Sequence, residues 1–245
     1  MGKVIVVASG KGGTGKTMFV ANLGATLAMA GHKVAVVDMD NGLRNLDLYL
    51  GLENNVVYDV NDVMQGVCRI RQALIKDKSF PGLFLMAASP KRPDGEITPL
   101  HMRVLCRKLT EKFDYVIVDS PAGIDDGLTL AAAGADMAVI VVSPDYAASR
   151  DGEMVRIVLQ EMGIPKIGFV INKLDMDMIK KGFAPEVTEI TRGFRRELLG
   201  VIQADENIHV STNLGVPIVF MQDTYIAENF RNIAARVKGF LGPQE

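Results

Sequence analysis

Short runs of Val, Ile and Leu recur along the chain with little alternation between apolar and polar positions. Seven of them read as strands: Val4–Ala8, Val34–Asp38, Leu83–Ala87, Tyr115–Asp119, Met137–Val142, Ile167–Ile171 and Leu199–Ile202. A strand with one wet face would alternate. Uninterrupted apolar runs belong to strands covered on both faces, as in a parallel sheet. Between them lie longer stretches with helical periodicity, Lys16–Ala30, Pro99–Phe113, Ala147–Met162 and Thr224–Leu241. This alternation of strand and helix predicts right-handed βαβ units. The expected fold is α/β, a doubly wound, mostly parallel sheet of about seven or eight strands flanked by helices. No linker, repeat or low-complexity segment interrupts the pattern, so residues 1–245 are expected to form one domain. Ligands of such sheets sit at the carboxyl ends of the strands, and candidate chemistry is sought there.

Composition adjusts this picture at a few points. Hydrophobic residues make up 48% of the 245, enough to bury a core without disulfide or metal staples. The balance of 27 basic to 29 acidic residues argues against a surface covered in positive charge but leaves room for a local basic patch. Cys68 and Cys106 match no zinc or redox spacing, and His32, His101 and His209 are scattered, so no zinc site is expected. No apolar run approaches the roughly 20 residues of a membrane span. The first residues run straight into a strand and do not read as a signal peptide, which makes a cytoplasmic location the expectation.

The most specific motif follows the first strand. Gly10-Lys11-Gly12-Gly13-Thr14-Gly15-Lys16-Thr17 fits G-x-x-x-x-G-K-[ST] and opens a predicted helix, the setting of a phosphate-binding loop. Glycines let backbone N–H groups turn inward around phosphate oxygens, and the helix N-terminus adds partial positive charge. Lys16 can reach the β- and γ-phosphates, and the Thr17 hydroxyl can ligate Mg²⁺. Lys11 is a second lysine inside the loop. It reads either as a solvated side chain or as a further cation beside a γ-phosphate. Tyr115–Asp119 ends an apolar strand in a carboxylate, the pattern that places an aspartate near the metal of a P-loop NTPase. Asp38 and Asp40 follow another buried strand. One could hold metal-bound water and the other orient an attacking water, or either could be a solvated loop carboxylate.

Asn172-Lys173-Leu174-Asp175 spells N-K-x-D at the end of a strand, the guanine-reading pattern of many GTPases. It is equally a polar strand-to-helix turn, so the residues alone leave ATP against GTP open.

With its extra lysine, the segment at 10–17 resembles the phosphate loop of the ParA/MinD family of deviant Walker A ATPases. Longer blocks extend the likeness toward the MinD branch: Asp38–Leu48, Val57–Asp59, Gln72–Lys78, Asp119–Gly123, Ser149–Asp151 and Gly200–Ile202. The resemblance covers essentially the whole chain and implies ATP or ADP with Mg²⁺ as ligands, and ATPase activity. It implies that Gly10 and Gly12–Thr17 hold the triphosphate, that Thr17 binds Mg²⁺ with Asp38 and Asp119 behind waters, and that Asp40 positions the hydrolytic water. Lys11 would reach across an ATP-bound homodimer to the partner's phosphates. Residues 38–48 and 119–127 would be switch regions, and Asn172 and the segment around Asp205 would hold the adenine. The family's dimer binds membrane, recruits a division inhibitor of the MinC type and is stimulated by an activator of the MinE type.

Four departures stand out. Met18 occupies the place of a second threonine that contacts the α-phosphate, a hydrogen bond worth roughly 1.5–3 kcal/mol. Asn41 replaces an apolar residue after Asp40, and Asn172-Lys173 replaces the more usual Asn-Arg. The family's short basic membrane helix is not spelled after Leu241, where the sequence reads Gly-Pro-Gln-Glu. In the last helix Phe230, Ile233, Ala234, Val237 and Leu241 form one apolar stripe with Arg231, Arg236 and Lys238 near it. That stripe reads as a closing helix packed on the sheet, whereas Phe240-Leu241 with the basic residues could form an interfacial membrane anchor. A ParA-type DNA-partitioning ATPase would need a basic stripe, and nucleic acid is not expected as a partner. A metal-loading factor would need paired cysteines. A flagellar-number regulator would carry an effector helix ahead of the first strand.

Overall fold

The computed structural model describes residues 1–91, 97–221 and 223–242. Eight strands form one sheet: β1 (Lys3–Ala8), β2 (Val34–Asp38), β3 (Ile75–Lys76), β4 (Leu83–Met86), β5 (Tyr115–Asp119), β6 (Met137–Val142), β7 (Ile167–Leu174) and β8 (Glu197–Gln203). Their order is β3-β4-β2-β5-β1-β6-β7-β8. Every pairing is parallel except that of β3, a two-residue antiparallel edge on β4. The strand direction of travel reverses at β1, between β5 and β6, which makes its carboxyl end the topological switch point.

The apolar runs are apolar because both faces are covered. On one side Ile5, Val36 and Ile117 meet Phe19 and Leu23 of helix Lys16–Met29 and Phe230 and Ile233 of helix Tyr225–Leu241. On the other, Val6, Val37 and Ile140 meet Met102 of helix Pro99–Thr110 and Leu159 of helix Tyr146–Glu161. Helix Lys16–Met29 is buried almost all round, because Met18 to Leu27 are covered by the sheet and by the last helix together. The last helix therefore spends its stripe on the core. Phe230 is fully buried, Arg236 donates to the Leu199 carbonyl at 3.1 Å, and Lys166 donates to the Leu241 carbonyl at 2.8 Å.

The chain departs from the predicted elements in three ways, one of them the unpredicted two-residue edge strand β3. The run expected to end at Ile171 continues as β7 to Leu174, so Asn172-Lys173 lie inside a strand. Pairing of Leu174 with Gln203 on β8 holds this extension, and a register shift absorbs the left-handed backbone of Lys173 (φ 62°). Among the described residues seven short α-helices were not predicted, including Leu46–Tyr49, Val60–Met64, Ile70–Ala73 and Glu206–Asn213. Eight residues or fewer hold about two turns, too little for a 3.6-residue period to register.

Candidate nucleotide site

The register of three adjacent strands assembles the site. Val7 on β1 and Asp38 on β2 both lie opposite Asp119 on β5. The loop that leaves β1 thus begins beside the two carboxylates, and helix Lys16–Met29 starts above them. Its first turn is entered through Gly15 in a left-handed conformation (φ 89°), and no side chain caps it. The N–H groups of that turn stay free to meet an anion. A Cβ on Gly15 would lie 2.2 Å from the Asn172 amide nitrogen, so only glycine fits. Gly12 and Gly13 face open space. Gly10 has a different duty from theirs: a Cβ there would lie 2.5 Å from the Asp151 backbone, and the residue seats the loop on helix Tyr146–Glu161.

A cleft of about 730 Å³ opens over the loop. Gly12 to Met18, Asp40, Asn172 and Asp205 all line it. Asp38 and Asp119 lie beneath its floor, almost wholly buried. Lys16 Nζ donates to Asp119 Oδ1 at 2.8 Å, with the two side chains 7% and 1% exposed. Burial pushes the Asp38 carboxyl up to about 7, aided by the charge of Asp119 and opposed by N–H donors from Asp40, Leu46 and Asn45. Burial likewise pushes the Asp119 carboxyl up, against the pull of Lys16. Two carboxylates and one ammonium in a dry site leave the pair short of positive charge.

Three buried polar atoms around this cleft have no bonding partner: Asp119 Oδ2, Thr14 Oγ1 and Asn172 Oδ1. Buried polar groups are nearly always bonded, so orphans gathered round one cleft mark where a ligand or water is received. The orphaned Asp119 oxygen, the Asp38 carboxyl and the Thr17 hydroxyl on the cleft wall are hard oxygen donors and suit Mg²⁺.

Several predicted residues have unexpected partners. Lys11 does not line the cleft of its own chain. Its ammonium lies 3.0 Å from Asp145 Oδ1, at the start of helix Tyr146–Glu161, with both side chains partly exposed. Asn172 donates to the Thr14 carbonyl at 2.7 Å and Lys173 to the Gly13 carbonyl at 2.7 Å, so the end of β7 is bolted to the phosphate loop. Asp205 caps helix Glu206–Asn213 through the Asn207 N–H and receives the Tyr225 hydroxyl. Asp175 caps helix Met176–Lys180 through Asp177 and Met178 N–H and does not line the cleft. The aspartate of the N-K-x-D pattern is thus a helix cap.

Tyr49, Gln203, His209 and Thr212 also line the cleft and carried no signal in the sequence. They come from helices too short to predict and from the end of β8.

A phosphate loop, a buried lysine–aspartate pair and a second carboxylate at the switch point of a parallel sheet define a P-loop nucleotide-binding ATPase. The model of the CobQ/CobB/MinD/ParA nucleotide binding domain matches residues 5–218. Septum site-determining protein MinD of Bacillus subtilis is 40% identical over 98% of this chain and 90% of its own length. Among solved structures, the MinC:MinD cell division protein complex of Aquifex aeolicus superposes with a TM-score of 0.89 at 37% identity, over 99% of this chain and 98% of that one. Septum site-determining protein MinD of Pyrococcus horikoshii, complexed with Mg-ADP, gives 0.88 at 27% identity, over 99% and 98%. The chain belongs to the CobQ/CobB/MinD/ParA family and stands among its MinD members.

Proposed function

We propose that this chain is an ATP-hydrolysing switch that dimerises with ATP and positions the cell-division site. The buried Lys16–Asp119 pair beneath the phosphate loop, with Lys11 turned out of the same cleft, carries this reading. The domain is taken as residues 1–245. In this reading the N–H groups of Gly12 to Thr17 hold the phosphates, and Lys16 exchanges Asp119 for the phosphate oxygens. Thr17 would hold Mg²⁺ with Asp38 and Asp119 behind it, and the ion would offset charge on the phosphate oxygens. Asp40, at the cleft wall, orients the attacking water. Lys11 leaves Asp145 to reach the phosphates of a second copy. Asn172 and Asp205 stand on the base side, and ATP is the favoured nucleotide because Asp175 is committed to a cap.

Partners follow from the family: a division inhibitor of the MinC type, an activator of the MinE type, and a membrane surface met peripherally. Among the described residues no helix is long and apolar enough to cross a membrane. The apolar stripe of the last helix lies against the core and is not available to a membrane.

Asp40→Ala tests the catalytic reading. The variant should bind fluorescent ATP as the parent does and dimerise, while hydrolysis falls by about 10²-fold or more. Parental hydrolysis would refute the role of Asp40. Sedimentation with anionic vesicles tests the membrane reading: pelleting with Mg-ATP and not with Mg-ADP is expected, and equal recovery with both refutes it.

A further inference from the structure

A second groove, of about 780 Å³, lies on the flank formed by helices Val60–Met64 and Ile70–Ala73 and helix Pro99–Thr110. It shares no lining residue with the nucleotide cleft. Its floor is apolar: Val63, Met64, Ile70 and Leu105 are buried or half-buried there. Leu100 and Val104 stand on its wall one helical turn apart, 61% and 46% exposed. Its rim is basic. Arg69 and Arg71 come from one side and Lys108 and Lys112 from the other, all four exposed. Among the described residues no Asp or Glu lines it, and none of the four cations makes an ion pair. Asp59 and Asp62 act on Cys68 at one end, and each also accepts a backbone N–H at the start of helix Val60–Met64; Glu111, next to Lys112 in the chain, does not line the groove.

This arrangement is unusual for a chain of net charge −2. Solvated lysines and arginines generally stand among carboxylates, and exposed Leu and Val generally stand singly. Here they share one concave strip. On helix Pro99–Thr110 and the residue pair beyond it, Leu100, Val104, Lys108 and Lys112 recur every four positions, so apolar and cationic heads form one line. A flat lipid surface could touch the rim but not the floor. Duplex DNA would use the cations and leave the floor unfilled. The complement of an apolar floor between two cationic walls is a ridge with an apolar edge and acidic flanks.

We propose that this groove is a docking site for an acidic amphipathic helix of a protein partner, seated with its apolar edge on Leu100 and Val104 and its carboxylates against Arg69, Arg71, Lys108 and Lys112. The partner binds outside the nucleotide cleft, with which the groove shares no lining residue.

The test uses the full chain with Mg-ADP and a fluorescein-labelled helical peptide that carries one leucine stripe flanked by glutamates. Saturable binding by anisotropy is expected. Leu100→Ser should weaken it about tenfold, and Lys108→Glu with Lys112→Glu by at least as much, while fluorescent ATP still binds these variants as it binds the parent. Bound peptide should also slow alkylation of Cys68, which lines the groove. A polyglutamate of equal charge, a peptide with lysines in place of glutamates, phosphatidylglycerol vesicles and duplex DNA are the competitors. Equal competition by polyglutamate would reduce the site to plain charge and overturn the proposal. Displacement by vesicles or DNA at lower concentration would assign the face to membrane or nucleic acid instead. Unchanged affinity in the variants, or no saturable binding, would overturn it outright.

Discussion

Asp38 and Lys16 show how burial sets the chemistry of single residues. Asp38 ends a strand, is 1% exposed, and has its charge opposed by Asp119 across the register. Its carboxyl rises from 3.8 to about 7. The sign of the linked stability follows. A carboxyl whose pKa is raised on folding binds its proton more tightly in the folded chain than in the unfolded one. The associated stability is full below the unfolded value and is lost as pH rises through the folded one. For the nucleotide-free chain, Asp38→Asn should therefore gain stability relative to the parent progressively between about pH 4 and pH 7. Urea melts of the two proteins across that range check this. A constant difference between them would mean that Asp38 is already ionised in the folded chain. Lys16 stands against this deficit of positive charge, and a ligand that draws it from Asp119 must bring compensating cations of its own.

Packing at the level of elements is tightest where glycines let helices and strands close on one another. A Cβ on Gly200 of β8 would lie 2.4 Å from Ile233 Cγ1 on the last helix. Gly200→Ala should thus cost about 1–3 kcal/mol, since either the helix shifts or Ile233 leaves its rotamer. Gly193, in helix Val187–Phe194, meets nothing within 4 Å and has ordinary helical backbone. Gly193→Ala should stabilise by about 0.4–1 kcal/mol. Thermal or urea unfolding of both variants measures the contrast. If both are neutral, the last helix is held less firmly than Phe230 and Ile233 imply. The same contacts decide between the two sequence readings of that helix. Its apolar stripe has a partner already in β8 and helix Lys16–Met29, so it closes the core.

The whole molecule is arranged so that its two loop lysines do separate work. Lys16 faces inward to Asp119, while Lys11 rests on Asp145 at the surface. A pair in which both side chains are more than a third exposed contributes little to folding, under about 1 kcal/mol. Lys11→Ala should leave the melting temperature nearly unchanged yet prevent ATP-dependent dimerisation. Light scattering of ATP-loaded chain, beside its melting curve, tests both halves. A Lys11→Ala dimer as stable as the parent's would remove Lys11 from the interface.

Much of this was legible in the residues themselves. The seven longer strands, the four longer helices and the phosphate loop depend on local rules: apolar runs, helical period, and glycines where the backbone turns left-handed, as at Gly15. Asp38 and Asp119 could be placed at the ligand edge because each ends such a run. What the tertiary structure alone decided depends on which surfaces meet. Lys11 and Asp145 lie 134 positions apart, and Asn172 and Thr14 158 apart. No local period encodes such pairs. The continuation of β7 through Asn172-Lys173 needed β8 beside it, and Tyr49, Gln203, His209 and Thr212 reached the cleft on elements too short to show a period. The sequence by itself determined the phosphate loop, its carboxylates and the parallel sheet, because their causes lie within a few residues. Only the folded chain decided the resting place of Lys11, the inward turn of the last helix and the basic groove, because long-range packing brings those groups together.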